Sequence, residues 1–504
     1  MRPRLQHLFI PFLLFTISLL IRLLLISKGP YHSDALGFAV SVEQSVLLHK
    51  VLFLHGHGYP LSALLGIGFF WLLHACGWDN PVFAINLLSV IFSSGCVVLL
   101  YLLGRKLFDQ TTALCAALVF TVSPIFLSVS VYGNSHTLSL FFFLCSLLAL
   151  AHYQEKYRRI LLYISAILLG LAGACRIQDL AVLLPAVVYF YWEFSPPGHK
   201  RKGKDFLLAA GIAFAVIALF YLPTFGGKTA VYNARLLRFS FLDPLSELFP
   251  PYFLGQTCLY LLENFHPLGV LLLISGLWLL AKKNCGYAIF LSLWILGPLL
   301  IFGNTFMTTP RWQTAGLVPA SFFIAAPLAF VLRREERWAR PVGLGVLFIL
   351  VSLSLTKIYP VLSWRHDQQT SSDYARWIGQ HTEPDAVIIV GDDGPFIRYY
   401  GKRTTLRQIV TDTDFFFAGK DLATGTREYK EHLDQLLAAE TPVYITEIGL
   451  FSNNTGFFDQ FLTHYYSLHT VGKTLFESWH RSCIKTTLLP VRLFKITAKD
   501  RTGK

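Results

Sequence analysis

The segment VFAINLLSVIFSSGCVVLLYLLG occupies residues 82–104 and is followed directly by Arg105 and Lys106. It is long enough to cross a bilayer as a helix, for which about 20 mostly apolar residues suffice. Its basic end indicates the cytoplasmic side, because short cytoplasmic loops carry an excess of Lys and Arg. Apolar runs closed by basic residues recur over the first 360 residues, so we predict a polytopic α-helical membrane protein.

The composition supports the same fold class. Of the 504 residues, 54% are hydrophobic and only 14% are charged, against about 25% charged in ordinary globular domains. The net charge of +13 comes from basic residues clustered in short loops, which indicates membrane orientation and not a nucleic-acid partner. The eight cysteines lie mostly within apolar runs and form no disulfide framework or metal motif. A soluble enzyme is therefore excluded.

The alternation of basic loops predicts eleven crossings. It places the amino terminus in the cytoplasm and the carboxyl terminus outside a cytoplasmic (inner) membrane. The predicted spans are residues 8–27, 82–104, 112–130, 135–152, 160–175, 177–192, 206–224, 267–281, 286–303, 312–332 and 342–360.

The apolar segment at residues 59–78 does not fit this alternation, because a crossing there would invert every later loop. We predict that it is an interfacial or re-entrant helix within a first outer loop at residues 27–81. The membrane domain then comprises residues 1–360, and residues 361–504 form an extracytoplasmic domain.

The carboxyl-terminal domain has the periodicity of a layered α/β fold. Gly391–Gly394 (GDDG) follows its first strand, where ligands often bind in such sheets; a tight turn is the favoured alternative. The predicted elements are strands at 386–390 and 443–446, a helix at 428–439, and two short strands within 485–498 around Pro490.

The stretch PYHSDALGF, residues 30–38, places Asp34 just outside the first span. A partly desolvated carboxylate at a membrane boundary is a candidate general base, because it can accept a proton from an attacking hydroxyl or amine. The alternative is that Asp34 caps a helix beginning at Ala35.

Further motifs follow in a fixed order on the predicted outer side. They are HGHGYP at 55–60, GLAGACRIQDLAVLLP at 170–185 and TPRW at 309–312. With Asp34 in the first outer loop, this order resembles the C-type glycosyltransferases, which include protein mannosyltransferases and the lipid A aminoarabinose transferase. The similarity covers residues 1–360.

The resemblance implies an enzyme that transfers a hexosyl or pentosyl group from a polyprenyl-phosphate carrier to a lipid, glycan or protein acceptor on the outer side. Asp34 is then the general base. The residues expected to bind substrates are His32, His55, His57, Tyr59, Asn134, His136, Arg176, Asp179, Arg235, Arg238 and Arg311.

The sequence departs from the family in its second outer loop, residues 130–136, which has no carboxylate. Asn134 or His136 could supply hydrogen bonds there, and Asp179 could supply charge. Arg311, with Lys228, Arg235 and Arg238, is available to stabilise a leaving phosphate. No cofactor is predicted. A divalent metal is possible but unsupported, because hard cations need several oxygen ligands and the outer loops are poor in carboxylates.

Two other classes of protein stay open at this point. A secondary transporter or flippase would suit many apolar spans, although such proteins usually show internal repeats and mid-span polar residues. A scaffold subunit would need no polar cluster in the outer loops. Convergence of Asp34, Asp179 and Arg311 on one site would favour the enzyme.

Overall fold

The computed structural model describes residues 3–53, 59–195, 202–224, 251–303, 310–408, 422–451, 457–478 and 483–499. The chain divides into two compact units. The membrane unit comprises Met1–Ser27, Phe38–His366 and His480–Lys485, and the tail unit comprises Lys28–Gly37, Asp367–Trp479 and Thr486–Lys504.

The described part of the membrane unit is mainly helical. In chain order its helices are α1 (Pro3–Leu24), α2 (Ser33–Leu47), α3 (Pro60–Ala75), α4 (Pro81–Leu107), α5 (Gln110–Thr121), α6 (Pro124–Ser130), α7 (His136–Lys156), α8 (Arg159–Cys175), α9 (Ile177–Phe194), α10 (Lys202–Tyr221), α11 (Pro251–Lys283), α12 (Cys285–Gly303), α13 (Leu317–Leu332) and α14 (Ala339–Asp367). Helix α2 crosses the boundary between the units, because its residues up to Gly37 cluster with the tail unit and those from Phe38 with the membrane unit. Helix α11 is kinked at His266, whose φ is 58°, and a 3-10 segment, Pro310–Gly316, precedes α13.

The length and composition of these helices support a multi-pass membrane protein. Within the described residues, seven helices are long and apolar enough to span a bilayer, or eight if α5 and α6 form one bent span. Four further apolar helices are shorter. The predicted count of eleven crossings is therefore not confirmed.

One end of the helix bundle is held by ion pairs between the basic connections. Arg333 pairs with Asp109 across 2.7 Å, and Lys106 pairs with Glu155. Arg159 Nε lies 3.5 Å from Asp205 Oδ2. The sequence predicts these connections on the cytoplasmic side, and we refer to this end of the bundle as the basic end.

The opposite end joins the end of α1 to the loop between α6 and α7. Ser27 N donates to Val131 O across 3.0 Å. Asn86 bridges the two segments, because its Nδ2 donates to Ser27 O and its Oδ1 accepts from Gly133 N. We refer to this as the outer end, since the predicted outer loops meet here.

Helices α5 and α6 correct the prediction of one continuous span at residues 112–130. They are bent by 63° at the break between them, because Pro124 has no N–H to donate to the preceding turn. The buried amide of Asn264 compensates: its Oδ1 accepts hydrogen bonds from Ser123 Oγ and Ile125 N, each across 2.9 Å.

Helix α3 begins and ends near the outer end. Ser62, in its first turn, donates to the carbonyl of Cys175 at the end of α8. Only five residues separate Ala75 from Pro81, which begins α4, and the other end of α4 carries Lys106 at the basic end. That this segment does not cross the membrane stays a prediction.

The tail unit contains a five-stranded sheet flanked by helices. Its elements are α15 (Thr370–Gln380), β1 (Val387–Val390), α16 (Gly394–Tyr399), β2 (Thr404–Arg407), α17 (Leu422–Ala438), β3 (Val443–Thr446), α18 (Glu447–Phe451), α19 (Phe457–Tyr465), β4 (Tyr466–Ser478) and β5 (Thr487–Ala498). The strand order is β2-β1-β3-β5-β4, with β1 parallel to β2 and β3 and β5 antiparallel to β3 and β4.

Two details of the tail differ from or refine the prediction. A single strand, β5, replaces the two short strands expected around Pro490. Proline is tolerated there because Pro490 pairs only with Leu475 of β4, whereas the pairing with β3 is confined to Leu493–Ile496. The GDDG segment forms a turn, in which Asp393 Oδ1 accepts a hydrogen bond from Gly391 N.

Candidate active site at the outer end of the membrane unit

The junction of α8 and α9 buries an ion pair. Helix α8 ends at Cys175, Arg176 takes an extended conformation, and α9 begins at Ile177. This geometry lets Arg176 Nε donate to Asp179 Oδ1, one turn into α9, across 2.9 Å. Arg176 and Asp179 are only 6% and 5% exposed, so the charge of each depends on the other.

Three further side chains surround this pair. His136, the first residue of α7, places Nδ1 3.6 Å from Asp179 Oδ2. Arg176 Nη1 donates to the Tyr59 hydroxyl across 2.9 Å and to Ser135 Oγ across 3.4 Å. The Arg176 guanidinium also lies 5.2 Å from the centre of the Tyr59 ring. The predicted residues Tyr59, His136, Arg176 and Asp179 thus form one cluster.

Arg311 connects this cluster to a second one. The 3-10 segment that carries Arg311 packs against α6 and α7. Its guanidinium acts electrostatically on the buried Tyr132 hydroxyl and on His136. Desolvation raises the pKa of Tyr132 to about 12, so this hydroxyl stays protonated at neutral pH.

Arg365, near the end of α14, forms the centre of the second cluster. It is 2% exposed, and its Nη1 donates to Ser128 Oγ across 2.9 Å and to the Cys483 carbonyl across 3.1 Å. Both Arg365 and Arg311 act electrostatically on Tyr132. Among the described residues, the guanidiniums of Arg176, Arg311 and Arg365 are thus linked through this end of the bundle, and Asp179 is the carboxylate that pairs directly with one of them.

One buried acceptor in the first cluster has no partner. Gln178 is 7% exposed, and its Oε1 makes no hydrogen bond within the part of the chain that the structure describes. An unpaired buried amide oxygen is costly.

Comparison with known proteins identifies the architecture. Residues 65–222 match the family model for dolichyl-phosphate-mannose-protein mannosyltransferases. The apo oligosaccharyltransferase of Archaeoglobus fulgidus is similar with a TM-score of 0.62 and 13% identity, covering 96% of this chain and 76% of that one. The chain has the C-type glycosyltransferase fold. The resemblance carried by the sequence motifs is thus confirmed.

A second solved structure is similar to this chain over almost its whole length. ArnT from Cupriavidus metallidurans bound to undecaprenyl phosphate is similar with a TM-score of 0.60 and 11% identity, and the match covers 98% of both chains. A search of curated protein sequences finds no significant match.

Asp34, the predicted base on this C-type scaffold, belongs to the tail unit. Helix α2 begins at Ser33, so Asp34 lies within its first turn and does not precede a helix starting at Ala35. His32 supplies the capping interaction instead, since its Nδ1 accepts a hydrogen bond from Asp34 N across 3.0 Å. The Asp34 side chain is 47% exposed. Its convergence with Asp179 and Arg311 stays a prediction.

The other predicted residues divide into two groups. Asn134 supports the α6–α7 loop, because its Nδ2 donates to the carbonyls of Val129 and Tyr132 and its Oδ1 accepts from Thr137 N. His55, His57, Lys228, Arg235 and Arg238 lie outside the described residues. Within the described ranges, no group of three or more His, Cys, Asp or Glu side chains is arranged for a metal ion.

The sequence did not point to Arg365, Tyr132 or Ser128. Arg365 could have been suspected, because an arginine at the outer end of the last span is costly to keep unless it has a function. Tyr132 and Ser128 gave no such signal. Ser128 joins the cluster through its hydrogen bond with Arg365, 237 positions away in the sequence.

Proposed function

We propose that this chain is an integral-membrane glycosyltransferase. It moves a hexosyl or pentosyl group from a polyprenyl-phosphate carrier to a lipid, glycan or protein acceptor on the outer side of the membrane. The observation that carries the proposal is the linked cluster of Arg176, Arg311 and Arg365 at the outer end of a C-type fold.

These guanidiniums suit the leaving group of this reaction. When the glycosidic bond breaks, the carrier phosphate gains negative charge, and guanidiniums stabilise it through charge-assisted hydrogen bonds. Arg311 and Arg365 are the groups that we assign to this phosphate. The choice of donor is supported by ArnT, which was solved bound to undecaprenyl phosphate, and by the Archaeoglobus oligosaccharyltransferase, which was solved in complex with a dolichol-phosphate.

Asp34, and not Asp179, is our candidate for the general base. Asp179 is engaged by the Arg176 guanidinium, which stabilises its charged form and makes it a weak proton acceptor. Asp34 has a half-exposed carboxylate that an acceptor can approach. The acceptor hydroxyl or amine loses its proton to Asp34 as it attacks the anomeric carbon, and the phosphate leaves from the opposite face with inversion.

The proposed topology follows from the two ends of the bundle. The basic end faces the cytoplasm by the positive-inside bias, so the amino terminus is cytoplasmic and the outer end and tail face outward from the inner membrane. A transporter or flippase is not favoured, because the ion pairs at Asp109, Glu155 and Asp179 lie near helix ends, whereas transporters place binding sites near mid-span.

The decisive experiment is sugar transfer by the purified protein in lipid nanodiscs from a panel of polyprenyl-phosphate sugars. We expect one donor to be consumed with release of the polyprenyl phosphate. Arg311→Ala should reduce the rate by at least tenfold, and Arg334→Ala, a matched change at the basic end, should not. Movement of intact lipid-linked sugar across vesicles without bond cleavage would instead establish the flippase.

A further inference from the structure

A loop between two strands of the tail unit belongs to the membrane unit. The chain leaves the tail after β4 and returns to it at β5, and the intervening His480–Lys485 clusters with the membrane unit. The structure describes Cys483–Lys485 of this loop. Cys483 and Ile484 are only 4% and 1% exposed, so this described part of the loop is buried.

The backbone of this loop binds residues of the second cluster. The Cys483 carbonyl accepts hydrogen bonds from Ser128 Oγ and from Arg365 Nη1. Arg365 Nη1 also donates to Ser128 Oγ. One carbonyl oxygen therefore fixes a hydroxyl from α6 and a guanidinium from α14 in a closed triangle of hydrogen bonds.

An ion pair holds the other end of the loop. Lys485 Nζ lies 2.6 Å from Glu263 Oε1 on α11, and the Glu263 side chain is only 11% exposed. The Glu263 backbone carbonyl in turn accepts from Lys357 Nζ. The loop is thus attached to three helices of the membrane unit, α6, α11 and α14.

We propose that Cys483–Lys485 is a latch that orients Arg365 and Ser128 for the carrier phosphate and thereby sets the affinity for the donor. This inference rests on the proposed function, in which Arg365 contacts that phosphate. Cys483 and Lys485 are positioning residues. A guanidinium already oriented before the donor arrives loses less conformational entropy on binding.

The Cys483 thiol offers a direct measure of latch closure. It is buried beside Arg365, and burial raises its pKa to about 11. A closed latch therefore protects the thiol from alkylation, because it excludes the reagent and because it disfavours the reactive thiolate. Cys285 is exposed and Cys175 is buried. Peptide mapping after brief maleimide treatment can therefore use them as internal references for open and closed sites.

The test exchanges the charges of the ion pair. We expect Lys485→Glu and Glu263→Lys each to accelerate alkylation of Cys483 and to raise the KM for donor about tenfold, with kcat changed by less than about twofold. The double variant Glu263→Lys/Lys485→Glu should restore protection and KM, and Lys485→Arg should retain both. Lys473→Glu, a charge reversal on β4, is the matched control.

The outcomes separate the latch from the proposed function. Unchanged Cys483 alkylation in Lys485→Glu would overturn the latch, and faster alkylation with unchanged KM would overturn its positioning role. If the protein transfers no sugar, binding of undecaprenyl phosphate alone replaces KM as the readout. Loss of binding in the single variants and recovery in the double variant would then support the latch, although the proposed function had failed.

Discussion

Arg176 Nε donates to Asp179 Oδ1 across 2.9 Å at the junction of α8 and α9, with both side chains more than nine-tenths buried. A guanidinium and a carboxylate so placed are each other's principal source of charge compensation. His136 Nδ1, 3.6 Å from the second carboxylate oxygen, extends this pair towards Arg311. The stability of the outer end therefore depends on these two residues together.

The first prediction concerns this pair. Arg176→Met should destabilise the membrane unit by about 3–5 kcal/mol, because it leaves the Asp179 carboxylate buried without compensation. The double variant Arg176→Met/Asp179→Leu should recover most of that loss but stay inactive, since the polar cluster is gone. Thermal unfolding in detergent and transfer assays measure the two effects. Additive destabilisation in the double variant would contradict the coupling.

The second prediction concerns recognition of the carrier phosphate. Arg311→Ala should weaken binding of undecaprenyl phosphate more than Arg311→Lys does, since lysine keeps the charge but not the planar fork. Tyr132→Phe should have a smaller effect, because it removes a neutral hydroxyl and no charge. Equilibrium binding in nanodiscs measures the order. Equal, small effects of both Arg311 variants would show that Arg311 is only an interfacial side chain.

The third prediction distinguishes two roles of Asp34, that of a general base and that of a residue that only stabilises the first turn of α2. If Asp34 is the general base, Asp34→Asn should accumulate normally and lose about two to four orders of magnitude in transfer rate. Because His32 supplies the cap, even Asp34→Ala should cost the helix only the favourable dipole interaction, about 0.3–1 kcal/mol. Turnover of purified Asp34→Asn within a few-fold of the parent would remove Asp34 from the mechanism.

The fourth prediction concerns the pH dependence of tail stability. Asp393 is fully buried and accepts hydrogen bonds from Tyr374 and Thr446, and desolvation raises its pKa to about 6, against about 3.9 in an unfolded chain. The folded tail therefore holds this proton more tightly than the unfolded tail does. Its stability should fall as the pH rises from about 4 to about 6, by about 3 kcal/mol in total.

Thermal unfolding across this pH range, followed by near-ultraviolet circular dichroism, measures the effect. Asp393→Asn should flatten the dependence, because an amide does not titrate there. Asp385→Asn, a change at an exposed carboxylate preceding β1, is the control and should leave the slope unaltered. Equal slopes in the parent and Asp393→Asn would show that Asp393 is ionised in the folded tail.

The fifth prediction concerns membrane orientation. Reporter fusions after Lys204 and Lys283 should behave as cytoplasmic, and fusions after Pro81 and Lys504 as external, because the basic loops are retained inside. A cytoplasmic carboxyl terminus would invert the proposed placement of the outer end.

Hydrophobicity was sufficient to predict those helices whose ends coincide with charged or turn residues. The spans expected at 160–175 and 177–192 correspond to α8 and α9, separated by Arg176 alone. The break between α5 and α6 was not predicted as such, because the residue that compensates it, Asn264, is 139 positions from Ile125. Local sequence gives no information about a hydrogen bond formed at that separation.

The candidate site, like the fold, could be predicted only in part from the sequence. Ionisable residues at the ends of apolar runs pointed to His136, Arg176, Asp179 and Arg311, and the structure brings the first three together directly. The contribution of Cys483 could not have been inferred, because its backbone carbonyl, and not its side chain, binds Arg365. Any residue type carries that carbonyl, so sequence alone does not distinguish it.

The bend between α5 and α6 also limits how much hydrocarbon thickness this pair can cross. At 1.5 Å per residue, the 12 residues of α5 extend about 18 Å. The 7 residues of α6, inclined at 63°, add only about 5 Å. The sum falls several ångströms short of the roughly 30 Å of a typical bilayer core. We therefore expect local thinning of the lipid beside α6, which would bring the headgroups, and a carrier phosphate among them, to the level of Ser128 and Tyr132.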